Sequence, residues 1–267
     1  IRENPRKVRN DLAAFILENI HRELFKDDIW RYLDGLGYQR VDYSKDESVL
    51  AAMEACNQRY ENLITYIRND ICIPRNETKE ALNILLGAGK KNAVLVSGAA
   101  GIGKSVILGQ IIQEIKTKSI PHLYFRIDRL TPSELPKNVG NQLELSASPV
   151  EILGGFANGR VCLLIIDQLD AVSLASGNKS DFFYCIYEII NQVRALPNMR
   201  LLLACRSFDL EKDNRLCELT TETGIAQKIE AKLFSNQDVD SVLEELGFSI
   251  KEFTKAQKEL LRLPFNM

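Results

Sequence analysis

The spacing of apolar residues divides the chain into three sections. Up to about residue 72, apolar positions recur every three or four residues, which is typical of amphipathic helices. Between residues 73 and 234, short continuous apolar runs alternate with stretches of helical periodicity. From residue 235 to 267 the pattern is helical again, in DVDSVLEELG and TKAQKELLRL. We therefore predict a helical N-terminal segment or linker (1–72), an α/β core (73–234) and a truncated helical lid (235–267).

The middle section contains five predicted strands, each short and apolar or β-branched at its centre. They cover residues 93–97, 122–127, 161–166, 200–204 and 226–231. Predicted helices between them lie near residues 104–117, 133–145, 178–196 and 206–218. Continuous apolar strands suit a parallel sheet that is covered on both faces, with helices as the crossover connections. The pattern thus predicts an α/β fold with a three-layer core around a parallel five-stranded sheet.

Capping residues predict where two of the helices start. Ser44, with Glu47 three residues later, marks the longest N-terminal helix, which we expect to reach about residue 69. Thr131 and Glu134 mark the helix near 133–145 in the same way. The helix from Ser44 carries an apolar stripe of heptad-like spacing, formed by Val49, Met53, Cys56, Tyr60, Leu63 and Ile67. We interpret this stripe as a surface packed on neighbouring elements, with a dimerising or signal-relaying helix as the alternative.

The clearest chemistry lies between the first predicted strand of the core and the helix after it. The stretch AVLVSGAAGIGKSVIL contains the full G-x-x-x-x-G-K-[ST] pattern in the strand-to-helix context that the motif requires. Backbone N–H groups of such a loop bind phosphate oxygens, Lys104 reaches the β and γ phosphates, and Ser105 ligates Mg²⁺. The motif predicts a nucleotide site built from Gly98, Ala99, Ala100, Gly101, Ile102, Gly103, Lys104, Ser105 and Val106.

A second polar motif follows the third predicted strand, in LLIIDQLDAV. Asp167 ends the apolar run, where a carboxylate would hold Mg²⁺ opposite the Ser105 hydroxyl. The next position, where many ATPases of this kind have a catalytic glutamate, is Gln168, whose amide cannot take a proton. Asp170 is the candidate catalytic base for the attacking water, and a cap on the following loop is the alternative.

The fourth predicted strand supplies a cation for the same site. The run LLLAC is followed by Arg206, and this strand should lie beside the strand that ends at Asp167. Because the strand near 122–127 falls between the two motifs, we expect one strand to intervene between the phosphate-loop strand and the magnesium strand. Arg206 is then a candidate contact for the γ-phosphate, and a surface salt bridge with Asp209 or Glu211 is the alternative.

Together, GAAGIGKS, the strand followed by DQLD, the LLLACR strand and the closing LLRLP resemble NACHT-like members of the STAND class of signal-transducing ATPases. The resemblance covers about residues 73–267. It implies that Asp170 is the base, that Arg206 is the sensor of the γ-phosphate, and that Pro264 packs against the adenine. It also implies that Arg75, in IPRNE, lines the nucleotide site.

The resemblance also implies a way of working. ADP would hold a closed, inactive arrangement, and exchange for ATP, prompted by an unknown trigger ligand, would open the molecule and favour self-association. Bacterial members often serve in antiphage defence. Two positions depart from the family pattern: Pro74 stands where a glycine is usual, and Ala171 where a second acidic residue is usual.

Composition and charge limit the remaining choices. The 267 residues are 45% hydrophobic and 26% charged, with a net charge of −2, so the totals give no indication of nucleic-acid binding. The six cysteines show no C-x-x-C spacing, which favours reduced thiols in the cytoplasm.

The longest apolar runs are far shorter than the ~20 residues of a membrane-spanning helix, and no signal peptide is recognisable. Since the chain starts at Ile1 without a methionine, we expect it to be part of a longer protein.

Two other classes of function remain open at this stage. An AAA+-like ATPase that remodels protein or nucleic acid has the same core, although Gln168 argues against a fast motor. A nucleotide-binding scaffold that does not hydrolyse its ligand is the second alternative.

Overall fold

The computed structural model describes residues 5–38, 42–64, 73–87, 91–175, 177 and 180–264. The helix predicted to reach about residue 69 ends at Glu61, and residues 62–64 after it are not helical. Ile67, from the end of the predicted stripe, lies outside the described residues.

Five parallel strands form the sheet, as the sequence predicts. They are β1 (Ala93–Gly98), β2 (His122–Arg126), β3 (Cys162–Asp167), β4 (Met199–Arg206) and β5 (Ala226–Glu230). Their order across the sheet is β2-β3-β4-β1-β5, and all neighbouring pairs run parallel. One strand separates β1 from β3, which confirms the expected arrangement. That strand is β4, whereas β2 lies outside β3 at the edge of the sheet.

The helices cover both faces of the sheet and extend beyond it at the two ends of the chain. They are α1 (Pro5–Glu18), α2 (Lys26–Gly35), α3 (Glu47–Glu61), α4 (Asn76–Leu86), α5 (Lys104–Thr117), α6 (Pro136–Gln142), α7 (Pro149–Ala157), α8 (Ser180–Arg194), α9 (Ser207–Lys212), α10 (Asn214–Cys217), α11 (Asn236–Glu245) and α12 (Lys255–Leu261). None of the helices in the described part of the chain has the length and apolar character needed to span a bilayer.

The predicted helix near 133–145 is wrong in its bounds. Leu135 adopts an extended conformation (φ −120°, ψ 135°), because a residue before a proline is disfavoured in the helical region, and α6 starts at Pro136. Thr131 does not cap it; its backbone N–H donates to the Gln142 side chain at 2.7 Å. A further helix that the sequence prediction missed, α7, is capped by Ser148 and has a proline at its first turn.

Two other helix boundaries also differ from the prediction. Asp46, not Ser44, caps α3, because its carboxylate accepts from the backbone N–H groups of Ser48 (3.1 Å) and Val49 (3.3 Å). The helix predicted over 206–218 is divided into α9 and α10 at Asp213, which leaves the helical conformation and caps α10.

The apolar stripe of α3 faces the interior, as we expected for a packed helix. Val49, Met53, Cys56 and Tyr60 are buried and belong to the same hydrophobic core as the strands and α5. Leu63, from the end of the stripe, is 38% exposed. Helix α3 therefore shares its core with residues beyond 72, and the division of the chain at that residue remains a proposal.

The last two helices form a small core of their own. Phe234, Val239 and Leu243 are buried together, with Phe253 and Leu261 packed around them. Ile73, from the segment that precedes α4, also packs against this cluster. The C-terminal helices thus contact the segment that precedes α4.

Candidate nucleotide-binding site

The loop from Gly98 to Gly103 joins β1 to the N-terminus of α5. Gly101 (φ 75°) and Gly103 (φ 89°) have left-handed backbone conformations that favour glycine. These turns curl the loop in front of the helix, where unpaired N–H groups and the helix dipole favour an anion. The predicted phosphate loop therefore has the backbone geometry that the motif requires.

Lys104 folds back over this loop. Its amine donates hydrogen bonds to the carbonyl oxygens of Gly98 (2.9 Å) and Ala99 (3.0 Å), and the residue is 9% exposed. Burial lowers the pKa of Lys104, while the carboxylates of Asp170 and Asp167 act in the opposite direction. The cation is thus held inside the loop, where it interacts with two acidic residues from the end of β3 and the turn after it.

Asp167, the last residue of β3, is fully buried and accepts hydrogen bonds on both carboxylate oxygens. Oδ1 accepts from the Gln168 backbone N–H at 2.7 Å. Oδ2 accepts from the Ser105 hydroxyl and from the Tyr124 hydroxyl, each at 3.3 Å. Ser105 and Asp167, predicted as metal ligands, are therefore in direct contact.

Within the described ranges Asp167 forms no salt bridge, although the charges of Arg126 and Lys104 act on it at longer range. Arg126, which lies opposite Asp167 on β2, is paired with Asp128 instead, at 2.9 Å. Burial raises the pKa of Asp167 above its ordinary value, and the surrounding hydrogen bonds only partly offset this effect. A buried carboxylate beside the Ser105 hydroxyl is a hard oxygen donor set, which fits Mg²⁺ bound jointly with nucleotide phosphates.

Asp170 and Arg206 are paired with each other. Asp170 Oδ2 lies 3.1 Å from Arg206 Nε, and Asp170 Oδ1 accepts from the Arg206 backbone N–H at 3.3 Å. Asp170 is 5% exposed, whereas the Arg206 side chain is 51% exposed. Burial raises the pKa of Asp170, and the guanidinium of Arg206 counteracts this shift. The candidate base and the candidate sensor thus form one unit, and the salt bridge of Arg206 is made with Asp170.

Gln168 turns the chain between the two acidic residues. It has a left-handed conformation (φ 58°, ψ 46°), which is uncommon outside glycine and costs roughly 1–2 kcal/mol. This turn at the end of β3 lets the next residues form a short 3₁₀ helix, Leu169–Val172, which contains Asp170. The strained residue therefore places the two carboxylates on the same side of the site.

Arg75 and Pro264 lie against the phosphate loop, although they are far apart in sequence. A Cβ atom placed on Gly103 would be 3.3 Å from Pro264 Cγ and 3.5 Å from Arg75 Nη1. Arg75 is 5% exposed, forms an ion pair with Glu77 at 2.9 Å and stacks on the Phe234 ring at 5.1 Å. The structure thus brings together all of the candidate residues at the carboxyl edge of the sheet.

Three supporting residues were missed by sequence reasoning. Tyr124 contacts Asp167 from the edge strand, and burial together with this carboxylate raises the pKa of its hydroxyl, which remains a donor. Glu77 orients Arg75. Asp213 accepts from the Leu174 N–H at 2.8 Å and so fixes the loop that follows Asp170. Only Glu77 had a local signal, since it lies two residues after Arg75.

Comparison with known proteins places this geometry in a family. The model of the NACHT domain matches residues 92–248, which is more than half of the chain. No curated protein matches the sequence significantly.

Several solved structures of low sequence identity are similar to this chain, and the first of them has the same fold. The Walker-type ATPase of Pyrococcus abyssi is 16% identical, with a TM-score of 0.52 over 77% of this chain and 68% of that one. AMPPCP-bound DnaA from Aquifex aeolicus is 19% identical, with a TM-score of 0.47 over 71% of this chain and 57% of that one. Orc1 of Aeropyrum pernix, in complex with DNA, is 14% identical, with a TM-score of 0.46 over 71% and 53% of the two chains.

Three observations agree with one another. A glycine-rich loop lies at a helix N-terminus, a buried carboxylate lies at the end of β3, two strands from β1 in the sheet, and the family model spans both. The chain belongs to the NACHT domain family, and its α/β core has the fold of the P-loop NTPases.

Proposed function

We propose that the protein is a nucleotide switch of the STAND type, which binds ATP with Mg²⁺ and hydrolyses it slowly. The observation that carries the proposal is the ion pair between Asp170 and Arg206, 3.1 Å apart, at the same edge of the sheet as Lys104 and Asp167. As long as Arg206 holds Asp170, the carboxylate is not free to accept a proton. A triphosphate that attracts Arg206 would release it.

The site residues supply the binding of the nucleotide. The loop from Gly98 to Gly103 would surround the phosphates with N–H groups, and Lys104 would turn from its carbonyl partners to the phosphate oxygens. Ser105 and Asp167 would hold Mg²⁺, which neutralises negative charge on the phosphates. Arg75 and Pro264, which lie against Gly103, would line the remainder of the nucleotide pocket.

Slow hydrolysis follows from the residue types at the end of β3. Gln168 can orient a water molecule but cannot accept its proton, so the candidate base is Asp170, the carboxylate that is paired with Arg206. This base has to be released from an ion pair before it can act, which costs free energy in each turnover. We therefore expect a switch with a long-lived triphosphate state.

The output of the switch is a change in packing and association. We propose that ADP favours the closed contact between the lid and the phosphate loop, and that ATP, prompted by an unidentified trigger ligand, favours an open form that self-associates. A role in signalling or antiphage defence and a cytoplasmic location rest on the family resemblance and on the reduced cysteines. Four of these, Cys56, Cys162, Cys185 and Cys205, are buried free thiols.

The proposal is tested by measuring nucleotide binding and phosphate release for four forms of the protein. We expect Lys104→Ala to abolish MgATP binding, Asp170→Asn to bind normally with at least tenfold slower turnover, and Gln168→Glu to hydrolyse faster than the wild type. Normal turnover by Asp170→Asn would show that another group is the base. Strong stimulation of the wild type by DNA or by unfolded protein would favour an AAA+-like remodelling ATPase instead, and binding without any hydrolysis would favour a scaffold.

A further inference from the structure

Tyr124 connects the edge of the sheet with the candidate metal site. It lies in the middle of β2, and its register partner on β3 is Ile165. Because side chains alternate between the two faces of a sheet, Asp167 lies on the same face as Ile165, two residues further along. The Tyr124 ring is fully buried, and its hydroxyl reaches Asp167 Oδ2 at 3.3 Å.

The hydroxyl of Tyr124 completes the set of donors around this carboxylate. Ser105 donates to the same oxygen, Oδ2, at 3.3 Å, and the Gln168 N–H donates to Oδ1 at 2.7 Å. Among the described residues, hydrogen bonds and not a salt bridge thereby fix both oxygens of Asp167 in orientation. A phenylalanine at position 124 would fill the same space but would lack the hydroxyl that donates to Asp167 Oδ2.

Helix α3 holds Tyr124 in place. β2 is an edge strand, and the side chain of Asn57 pairs with its open edge as a neighbouring strand would. Asn57 Oδ1 accepts from the Tyr124 N–H at 2.8 Å, and Asn57 Nδ2 donates to the His122 carbonyl at 3.0 Å. The Tyr60 ring packs against that of Tyr124, with 6.0 Å between centroids. α3 lies outside residues 92–248, the part that matches the family model.

We propose that Tyr124 is a positioning residue for the metal-binding carboxylate of Asp167, and that α3, through Asn57, sets the position of Tyr124. The inference rests on the proposed function, because it assumes that Asp167 binds Mg²⁺ together with a nucleotide. Its consequence is specific: α3, from the N-terminal part of the chain, influences the affinity of the site for the metal. Residues that orient metal ligands typically change metal affinity by ~10–100-fold when they are removed.

The experiment compares ATP affinity in excess Mg²⁺ with ATP affinity in EDTA, by calorimetry or with a fluorescent analogue. For Tyr124→Phe we expect the gain in affinity due to Mg²⁺ to fall about tenfold, with the affinity in EDTA unchanged. A purely structural defect would weaken both affinities together. The matched control is Tyr60→Phe, which removes a hydroxyl from the ring that packs on Tyr124 and should leave the gain as in the wild type.

Asn57→Ala tests the contribution of α3. It removes both side-chain hydrogen bonds to β2, and we expect the Mg²⁺-dependent gain to fall in the same direction as in Tyr124→Phe. If Tyr124→Phe shows the same Mg²⁺-dependent gain in ATP affinity as the wild type, the positioning role is overturned. If folded Asn57→Ala shows the same gain as the wild type, the role of α3 is overturned.

The wild type separates this inference from the proposed function. If it binds ATP with a clear Mg²⁺-dependent gain that Lys104→Ala loses, the site is as proposed and only the variants decide on Tyr124. If the wild type shows no Mg²⁺-dependent binding, the proposed function fails, and the positioning role fails with it. Thermal unfolding of each variant establishes that the compared proteins are folded.

Discussion

At the scale of single residues, backbone conformation and close contact decide which side chains the site tolerates. Gly103 is the clearest case, because it combines a left-handed conformation (φ 89°) with close neighbours from two distant parts of the chain. Pro264 and Arg75 both approach the space that a Cβ atom would occupy. The residue is thus required by the fold of the loop and by its contact with the lid.

Gly103→Ala should lower stability and remove nucleotide binding. The left-handed conformation alone costs a non-glycine residue roughly 1–2 kcal/mol, and the added methyl group would also press on Pro264. The control is Gly159→Ala, since Gly159 has a similar conformation (φ 84°) with no atom within 4 Å of its Cβ position. We expect both variants to lose free energy of unfolding in denaturant titrations, but only Gly103→Ala to lose ATP binding. Equal ATP binding by the two variants would contradict this assignment.

At the scale of elements, the connection between α9 and α10 holds the segment that follows Asp170 in place. Asp213 divides the two helices, caps α10 through the Arg215 backbone N–H at 3.1 Å, and forms an ion pair with the Arg215 side chain at 2.7 Å. It also accepts from the Leu174 N–H, while Arg215 donates to the Val172 carbonyl at 3.3 Å. The segment after Asp170 is therefore anchored to the helices that follow β4.

The Asp213 cluster predicts a pH-dependent contribution to stability. The Arg215 side chain and the backbone donors lower the pKa of Asp213 from 3.8 to about 2. A lowered pKa means that the contribution, of the order of 2 kcal/mol, is complete above about pH 5 and is lost progressively as the pH falls to about 2 and below. We expect Asp213→Asn to be less stable than the wild type at pH 6, with a smaller difference at pH 3, in urea titrations at both values. A difference that stays constant with pH would show that the charge of Asp213 is not responsible.

At the scale of the whole molecule, two hydrophobic cores meet at the nucleotide site. The larger one contains the sheet and α3, and the smaller one contains Phe234 with the last two helices. Arg75 links them: it stacks on Phe234, donates to the Lys232 carbonyl and lies beside Gly103. Any movement of residues 235–264 relative to the loop has to change these contacts, so we propose Arg75 as the residue that transmits the state of the nucleotide.

Hydrogen exchange should detect this transmission. We expect MgADP to protect backbone amides in residues 73–77 and 234–245 more strongly than a non-hydrolysable MgATP analogue does, because the proposed switch has its closed contact in the ADP form. Arg75→Ala should remove most of that difference, since it breaks the link between the lid and the loop. Arg59→Ala is the control, because Arg59 pairs with Glu144 on the surface at 2.6 Å. Identical protection by the two nucleotides in the wild type would contradict a lid that responds to the γ-phosphate.

Local patterns were sufficient for the strands and for the phosphate loop. The apolar runs identified β1 to β4, because a strand buried on both faces is apolar along most of its length. The edge strand β5 was predicted too, although Gln227, Lys228 and Glu230 are exposed in it. The loop from Gly98 to Ser105 is contiguous in sequence, so its motif contains the backbone requirements and the functional groups together.

Helix boundaries were less secure. Pro136 delays the start of one predicted helix, because the residue before a proline disfavours the helical conformation. Asp213 interrupts another predicted helix, because its side chain caps α10.

The sequence by itself therefore determined the fold class, the phosphate loop and the presence of two acidic residues at the end of β3 and in the turn after it. Only the tertiary structure decided that Asp170 is held by Arg206, that Tyr124 contacts Asp167, and that Arg75 approaches Gly103. The reason is physical: a strand or a loop follows from interactions between near neighbours, which repeat in a recognisable pattern. Contacts between residues far apart in sequence depend on strand order and register, and these are settled only when the whole core packs.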